Sequence, residues 1–274
     1  MNLTGKWSLI TGASSGIGKE YALQLSKLGS NTIILARRES RLQELKSEIL
    51  QKYPDRKVHI IQADLSKEKG AQFIFEKISA LKINIHILIN NAGLGAYTPL
   101  LETNWESQKE MILLNIMSLT QLTHYFVQHM AQHGEESYIT NVASIAAYIS
   151  PPNFSTYNGT KSFVRTFSST LSEELRKSNI HVFCLSPGGV TTEFSEVSGQ
   201  KLSASANRAM MNPHDVASQA IKAMLSKKTS LIPGFANQMM ALIPRFLPDR
   251  LMTKITSCLF GNMVKSKQRN KMIP

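Results

Sequence analysis

The sequence predicts a single α/β domain: a parallel sheet of about seven strands with helices on both faces, followed by a C-terminal helical extension. Three observations carry that prediction. Apolar strand-like runs alternate with helical patterns almost from the first residue, a glycine-rich turn joins the first run to the first helix, and the runs are not broken by a polar residue at every second position. A strand with one face in water alternates, whereas strands buried on both faces read as continuous apolar runs. With 274 residues, 42% hydrophobic and 18% charged, the chain has the length and composition to bury a sizeable core.

Taken in order, strands are expected at 7–10, 31–36, 58–62, 85–89, 138–141 and 181–185. Helices at 19–28, 41–53, 70–81, 105–133 and 156–177 fill the gaps, each with apolar residues at 3.6-type spacing. Thr103-Asn104-Trp105-Glu106 reads as a capping box opening the helix at 105. Asn212-Pro213 gives an N-cap followed by proline at the first helical position, which opens a helix at 214–226 before a short last strand at 230–232. The stretch 191–211 is polar, rich in small residues and uneven, as suits a mobile lid beside a site. Past Gly234 come Met239, Met240, Leu242, Ile243, Phe246 and Leu247, interrupted by Pro244 and Pro248. Leu251, Met252, Ile255, Cys258 and Leu259 then mark one face of a short amphipathic helix. The domain is therefore placed at 1–233 and the extension at 234–274, the latter packing on or near the same domain.

Cys184 and Cys258 lie far apart and outside any metal-ligand spacing, so no metal is expected and Cys184 reads as a buried thiol. No apolar run reaches 18 residues and no signal-peptide core is legible, which leads to the expectation of a cytoplasmic protein. The formal charge of +12 is uneven: between Arg245 and Lys271 seven Lys or Arg residues face one acid, Asp249. Such a tail could meet an anionic membrane face or an anionic ligand, or lie solvated; nucleic acid is not expected as a partner.

The chemistry gathers where strands end. Thr11-Gly12-Ala13-Ser14-Ser15-Gly16-Ile17-Gly18 lies between the first strand and the first helix, where glycines allow close approach of backbone to a ligand and the helix start suits a phosphate. After the second strand stand Arg37 and Arg38, with Ala36 where an acid would hydrogen-bond a ribose diol. An acid there would repel a 2′-phosphate, whereas arginine grips one bidentately, so NADP(H) is expected in preference to NAD(H). Asp64-Leu65 follows the third strand, where Asp64 could accept from an adenine amino group or cap the next helix. Asn90-Asn91-Ala92-Gly93 follows the fourth, good turn chemistry that also brings backbone close to a ribose. Ser144 follows the fifth. Tyr157 and Lys161, four apart, share one helix face, where an ammonium would lower the phenol's pKa toward the working range and Ser144 could hold a carbonyl oxygen as charge develops.

In this order the residues resemble the short-chain dehydrogenase/reductase family, with its Rossmann-type fold, from about Lys6 to Ile232. The resemblance rests on the 11–18 turn, Asp64, Asn90 to Gly93, Asn115, Ser144, Tyr157, Lys161 and Pro187-Gly188 with Thr192. It implies Tyr157 as general acid-base, Ser144 as the group that orients the substrate oxygen, and Lys161 on the nicotinamide ribose. Asn115 would hold a water linking Lys161 to solvent, and Pro187, Gly188, Val190 and Thr192 would contact the nicotinamide end. Gly12, Ser14, Ser15, Gly16, Ile17, Gly18, Arg37, Arg38, Asp64, Leu65, Asn91, Ala92 and Gly93 would line the rest of the cofactor cleft. A small carbonyl or alcohol substrate and a homodimer or homotetramer formed through the two long helices are implied as well. Gly5-Lys6-Trp7 and the tail are similar to a branch with 3-oxoacyl-thioester and steroid-type reductases. A non-catalytic NADP-binding redox sensor and a membrane-associated protein using its basic tail are the alternatives. One departure is Gly159 inside the catalytic helix, which costs roughly 1 kcal/mol of helix propensity and is expected to permit close helix packing.

Overall fold

In the computed structural model, which describes residues 3–200 and 202–263, seven parallel strands form one sheet in the order β3-β2-β1-β4-β5-β6-β7. They are β1 (Trp7–Thr11), β2 (Asn31–Ala36), β3 (Val58–Gln62), β4 (Ile85–Asn90), β5 (Ser137–Val142), β6 (Ile180–Leu185) and β7 (Ser230–Leu231). The order reverses between β1 and β4, and a crevice opens there beyond the carboxyl ends of both strands.

The unbroken apolar runs have a direct cause. Successive side chains of a strand point to opposite faces, and both faces are covered. On one, Ile10, Ile34, Ile87, Ile89, Tyr138 and Phe183 pack with Tyr21 and Leu25 of α1 (Gly16–Lys27), Leu42 and Ile49 of α2 (Glu39–Lys52), and Val216 and Ala220. On the other, Leu9, Ile33, Leu35, Leu88, Ile139 and Val182 meet Ile74 and Ile78 of α3 (Gly70–Ala80) and Leu122, Phe126 and Met130. The remaining helices are α4 (Trp105–Ile112), α5 (Leu119–His133), α6 (Ser155–Glu174), α7 (Phe194–Val197), α8 (Ala204–Arg208), α9 (Pro213–Leu225), α10 (Phe235–Leu242) and α11 (Asp249–Met263).

Three local expectations are corrected. The helix expected at 105–133 is interrupted between α4 and α5 by a π-helical segment, Leu113–Ser118. Asn115 lies in it with its side chain fully engaged, and nothing in helical periodicity marks such a widening. The cap of α4 is Asn104, whose side-chain oxygen accepts from Ser107 N–H at 2.8 Å, while the Thr103 hydroxyl turns back to Leu100 O. The uneven stretch after β6 contains α7 and α8 and is closed at its base by a bridge between Val190 and Met211. Gly159 does not serve close packing: it is exposed, and a Cβ there would meet nothing within 4 Å. The expected start of α9 holds, with Asn212 capping and Pro213 first in the helix.

Ala241 and Met252 are buried, and the Thr256 hydroxyl of α11 donates to Ser150 O. Lys265, Lys267, Arg269 and Lys271, together with the side chains of Arg245, Cys258 and Leu259, lie outside the described residues. Cys184 is a buried free thiol. Among the described residues no helix is long and apolar enough to cross a membrane.

Since a Cβ at Gly159 would meet no atom of the chain within 4 Å, Gly159→Ala is expected to stabilise the fold by about 0.5–1 kcal/mol. Urea unfolding measures this; a loss of stability would mean that position 159 is crowded in solution.

Candidate active site

The floor of the crevice is a clasp between two strand ends. The Thr11 hydroxyl, 1% exposed at the end of β1, donates to Ile89 O and accepts from the Asn91 and Ala92 N–H groups at 3.0 Å each. The Asn91 side-chain amide returns to Thr11 O at 3.0 Å and Gly12 O at 3.3 Å. The glycine turn is shaped around it. Gly12 has φ +66°, and a Cβ there would lie 2.8 Å from Asn91 Nδ2; a Cβ on Gly18 would lie 2.4 Å from Gly12 O. Thus the side chain of Asn91 holds the turn, and its main chain, with Ala92 and Gly93, lines the crevice.

The residues around the turn fit a dinucleotide phosphate. Helix α1 opens at Gly16 after Ser15, with no side-chain cap and no acid in its first turn, so its N-terminal N–H groups face the crevice with the positive end of the helix dipole. Arg38 Nη2 lies 2.9 Å from Ser14 Oγ and 3.2 Å from Ser15 Oγ. Arg37 is exposed; its carbonyl accepts from Gln62, and its charge acts on Asp64. The Asp64 carboxylate accepts from the hydroxyl and N–H of Ser66 at 2.7 and 2.9 Å. Burial acts to raise its pKa, but Ser66, Arg37 and Lys67 together leave it lowered. Asp64 therefore closes a local turn onto Ser66 and caps no helix, since α3 begins after Lys69 with no side-chain cap; Leu65 is buried behind it. Ile17, the second residue of α1, packs against the core beneath the turn.

The second half of the site comes from β5, α6 and the loop after β6. Ser144 opens a 3₁₀ turn, Ile145–Ala147, where its Oγ accepts from Ala146 N–H at 3.1 Å and stands close enough to the Tyr157 phenol to act on its pKa. Lys161, one turn beyond Tyr157 on α6, is 5% exposed; its ammonium donates to Val142 O at 2.8 Å and stands 5.7 Å from the centre of the tyrosine ring. A Cβ on Gly93 would come within 3.3 Å of Lys161 Nζ, so this glycine gives the lysine its room.

One expectation changes. Burial pushes the Tyr157 phenol up to about 12, with Ser144 pulling the other way, whereas a lowered value was expected from Lys161. Burial also brings Lys161 down to about 8. With the protein's own groups, enclosure outweighs attraction across the gap between the two. Asn115 spends its side chain on structure: Oδ1 accepts from Leu94 N–H, and Nδ2 donates to Leu94 O and to Thr160 Oγ1. It braces the segment after β4 that carries Gly93 against α6, which carries Lys161.

Beyond β6, Pro187 O accepts from Ile145 N–H, tying this loop to the Ser144 turn. Gly188 is where Asn237 of α10 closes in, its Oδ1 2.4 Å from an imagined Cβ. Val190 is buried at the bridge, and the Thr192 methyl overhangs Gly16. The loop also supplies what sequence reasoning missed. Phe194 sits 5.5 Å from the Tyr157 ring, Phe154 5.0 Å, and Tyr97 5.0 Å from Phe154, forming an apolar wall with Met111, Ala146 and Leu202. Of these, only Phe154 had a sequence signal, three residues before Tyr157 at the helix start.

A family model described as short chain dehydrogenase matches residues 6–203. The chain belongs to the short-chain dehydrogenase family. It is 35% identical over 196 residues to a very-long-chain 3-oxoacyl-CoA reductase of Laccaria bicolor, covering 70% of this chain and 57% of that one. To 17-beta-hydroxysteroid dehydrogenase type 3 of Mus musculus it is 35% identical over 206 residues, 74% of this chain and 66% of that one. The chain thus spans between half and two thirds of the length of these relatives. Among solved structures, a short-chain dehydrogenase from Sphingobium yanoikuyae in complex with NADPH superposes with a TM-score of 0.79 at 26% identity, over 97% of this chain and 98% of that one. A 3-ketoacyl-(acyl-carrier-protein) reductase from Brucella melitensis complexed with NADH gives 0.74 at 26% identity, over 85% and 98%.

For a short-chain dehydrogenase of this build, the Thr11 hydroxyl should be the costliest small deletion. Thr11→Val leaves two part-buried N–H groups without their acceptor and is expected to cost about 1–3 kcal/mol in urea unfolding. A cost below about 1 kcal/mol would show that the clasp does not hold the crevice.

Proposed function

We propose that the protein is an NADP(H)-dependent oxidoreductase that exchanges a hydride with the carbonyl or secondary alcohol carbon of an apolar substrate, a 3-oxoacyl thioester or another apolar ketone. The observation that carries this reading is the placement of Ser144, Tyr157 and Lys161 within one enclosed site at the carboxyl edge of the sheet. A bound nicotinamide dinucleotide supplies or accepts the hydride. Tyr157 gives its proton to the carbonyl oxygen, or takes it back in the reverse direction, while the Ser144 hydroxyl donates a hydrogen bond to that oxygen as charge develops. A phenol held near 12 is protonated at neutral pH, the form a carbonyl reduction needs. The phenolate left behind faces the Lys161 ammonium, which is charged below about 8. The wall of Tyr97, Phe154 and Phe194 excludes water from the proton's path and favours an apolar substrate.

NADP(H) over NAD(H) is supported by Arg38, whose guanidinium converges with two serine hydroxyls beside the start of α1, and by the absence of an acid at position 36. The two structural relatives hold NADPH and NADH respectively, so this preference rests on the residues of this chain. The names of the matched relatives agree with an apolar ketone substrate.

We further propose a homodimer or homotetramer formed through the long helices. Trp105 (67% exposed), Ile112, Met117 and Phe163 place large apolar side chains on the surface of α4, the π segment and α6. We place the protein in the cytoplasm, with peripheral membrane contact through the extension, where Phe235 and Phe246 are 77% and 78% exposed beside a basic tail.

Tyr157→Phe is expected to abolish oxidation of NADPH by ketones and 3-oxoacyl thioesters, at least about 10³-fold, while NADPH still binds more tightly than NADH. Undiminished turnover would overturn the mechanism, and no turnover by the wild type across the screen would favour the redox-sensor alternative. Sedimentation with and without anionic vesicles reads the two partner proposals together: a monomer that stays in the supernatant would refute both.

A further inference from the structure

Arg38 has a third partner. Beyond the hydroxyls of Ser14 and Ser15, its Nη2 lies 2.7 Å from Glu193 Oε2. The guanidinium thus spans the crevice, from the end of β2 across the glycine turn to the loop after β6. Glu193 lies between two residues with fixed neighbours: Thr192, whose methyl overhangs Gly16, and Phe194, which packs on Tyr157. The base of the loop is pinned, with Met211 N–H donating to Gly189 O and Thr191 N–H to Met211 O. Position 193 is therefore held opposite Arg38 by the fold.

We infer that Glu193 is a specificity-determining residue, an internal carboxylate that occupies Arg38 and must yield it to the 2′-phosphate of NADP(H). This deepens the NADP(H) reading and rests on it. The two anions want the same thing. A carboxylate and a phosphate both take the fork of a guanidinium bidentately, and two anions on one fork repel. Glu193 and Arg38 are 38% and 45% exposed, so their pair is solvent-screened and weak enough for a phosphate, with more negative charge, to displace. A 2′-hydroxyl brings no charge and leaves the pair closed. Glu193 therefore lowers affinity for the phosphorylated dinucleotide without touching affinity for the other, and it narrows the gap between them. Ser15 and Arg41, the next cation along α2, also hold the Glu193 carboxyl down, but both act more weakly than Arg38, which touches it at 2.7 Å and remains the partner that matters.

Isothermal titration of the full chain with two fragments, 2′,5′-ADP and 5′-AMP, tests this without turnover. The wild type is expected to prefer 2′,5′-ADP. Glu193→Gln should tighten 2′,5′-ADP about 3- to 10-fold and leave 5′-AMP unchanged. In an Arg38→Ala background the same substitution should have no effect on either fragment. Position 193 is half-exposed, and unchanged thermal melts establish that the variants fold. If the wild type prefers 2′,5′-ADP but Glu193→Gln binds it no better, or worse, the competition is refuted while the NADP(H) reading stands. If the wild type binds the two fragments equally, the NADP(H) reading itself falls. A gain that persists without Arg38 would mean that Glu193 acts as a general negative charge and would overturn the inference.

Discussion

The Thr11–Asn91 clasp is the constraint on which the site depends. At the switch point β1 and β4 lie side by side and their following segments diverge to opposite faces of the sheet, which would leave main-chain N–H groups unpaired in a buried crevice. The Thr11 hydroxyl accepts from two of them, the Asn91 amide donates to the carbonyls of Thr11 and Gly12, and the pair draws the two strand ends together. The close approach then dictates the glycines: at 12 and 18 a Cβ would run into the clasp itself, at 2.8 Å from Asn91 Nδ2 or 2.4 Å from Gly12 O. Seen this way, two of the turn's glycines are required by protein packing before any ligand is considered. What they leave is the uncapped start of α1 facing outward, and that is the feature a phosphate would use.

At the other half of the site, burial sets the electrostatics. Lys161 is held in a pocket that lowers its pKa to about 8 from the ordinary 10.5, which corresponds to about 3 kcal/mol of folding free energy forgone at neutral pH. The sign follows from proton counts. Between about 8 and the unfolded value the unfolded chain binds more protons, so this lysine's contribution to stability improves as pH rises through that window. The fold tolerates a buried ammonium at neutral pH because Val142 O accepts from it and Gly93 leaves room for it. Tyr157, pushed up by the same enclosure, keeps its proton. A charged lysine beside a neutral phenol is the pairing that favours donation, since the product phenolate meets a cation already in place.

The fold was legible because both sheet faces are buried, which writes each strand as an unbroken apolar run and each helix as a 3.6-residue pattern. The four-residue interval from Tyr157 to Lys161 was legible for the same reason, being a property of helix geometry. What escaped was determined by contacts between distant segments. The π widening at Asn115 is set by Leu94 and Thr160, neither near it in sequence. The direction of the Tyr157 pKa depends on Phe154 and Phe194 closing around the ring, and a pairwise reading of tyrosine and lysine cannot count walls. Asn91 illustrates the middle case: the dipeptide announced a turn, but only the fold shows that its amide serves the neighbouring strand.

The loop after β6 connects these two halves. Within three residues it covers Gly16 with Thr192, meets Arg38 with Glu193 and walls Tyr157 with Phe194. Its composition, small and polar with uneven pattern, follows from that position, since a segment that contacts a glycine turn, a guanidinium and an aromatic ring in succession cannot keep either a helical or a strand period. Irregularity here marks three successive residues with three different partners. The short helices α7 and α8 fit within the loop because the Val190–Met211 bridge closes its ends, so the loop is free to vary in sequence while its base keeps residues 192–194 over the crevice. Substrate choice would then be set by the wall and cofactor choice by the guanidinium, through adjacent residues of one loop.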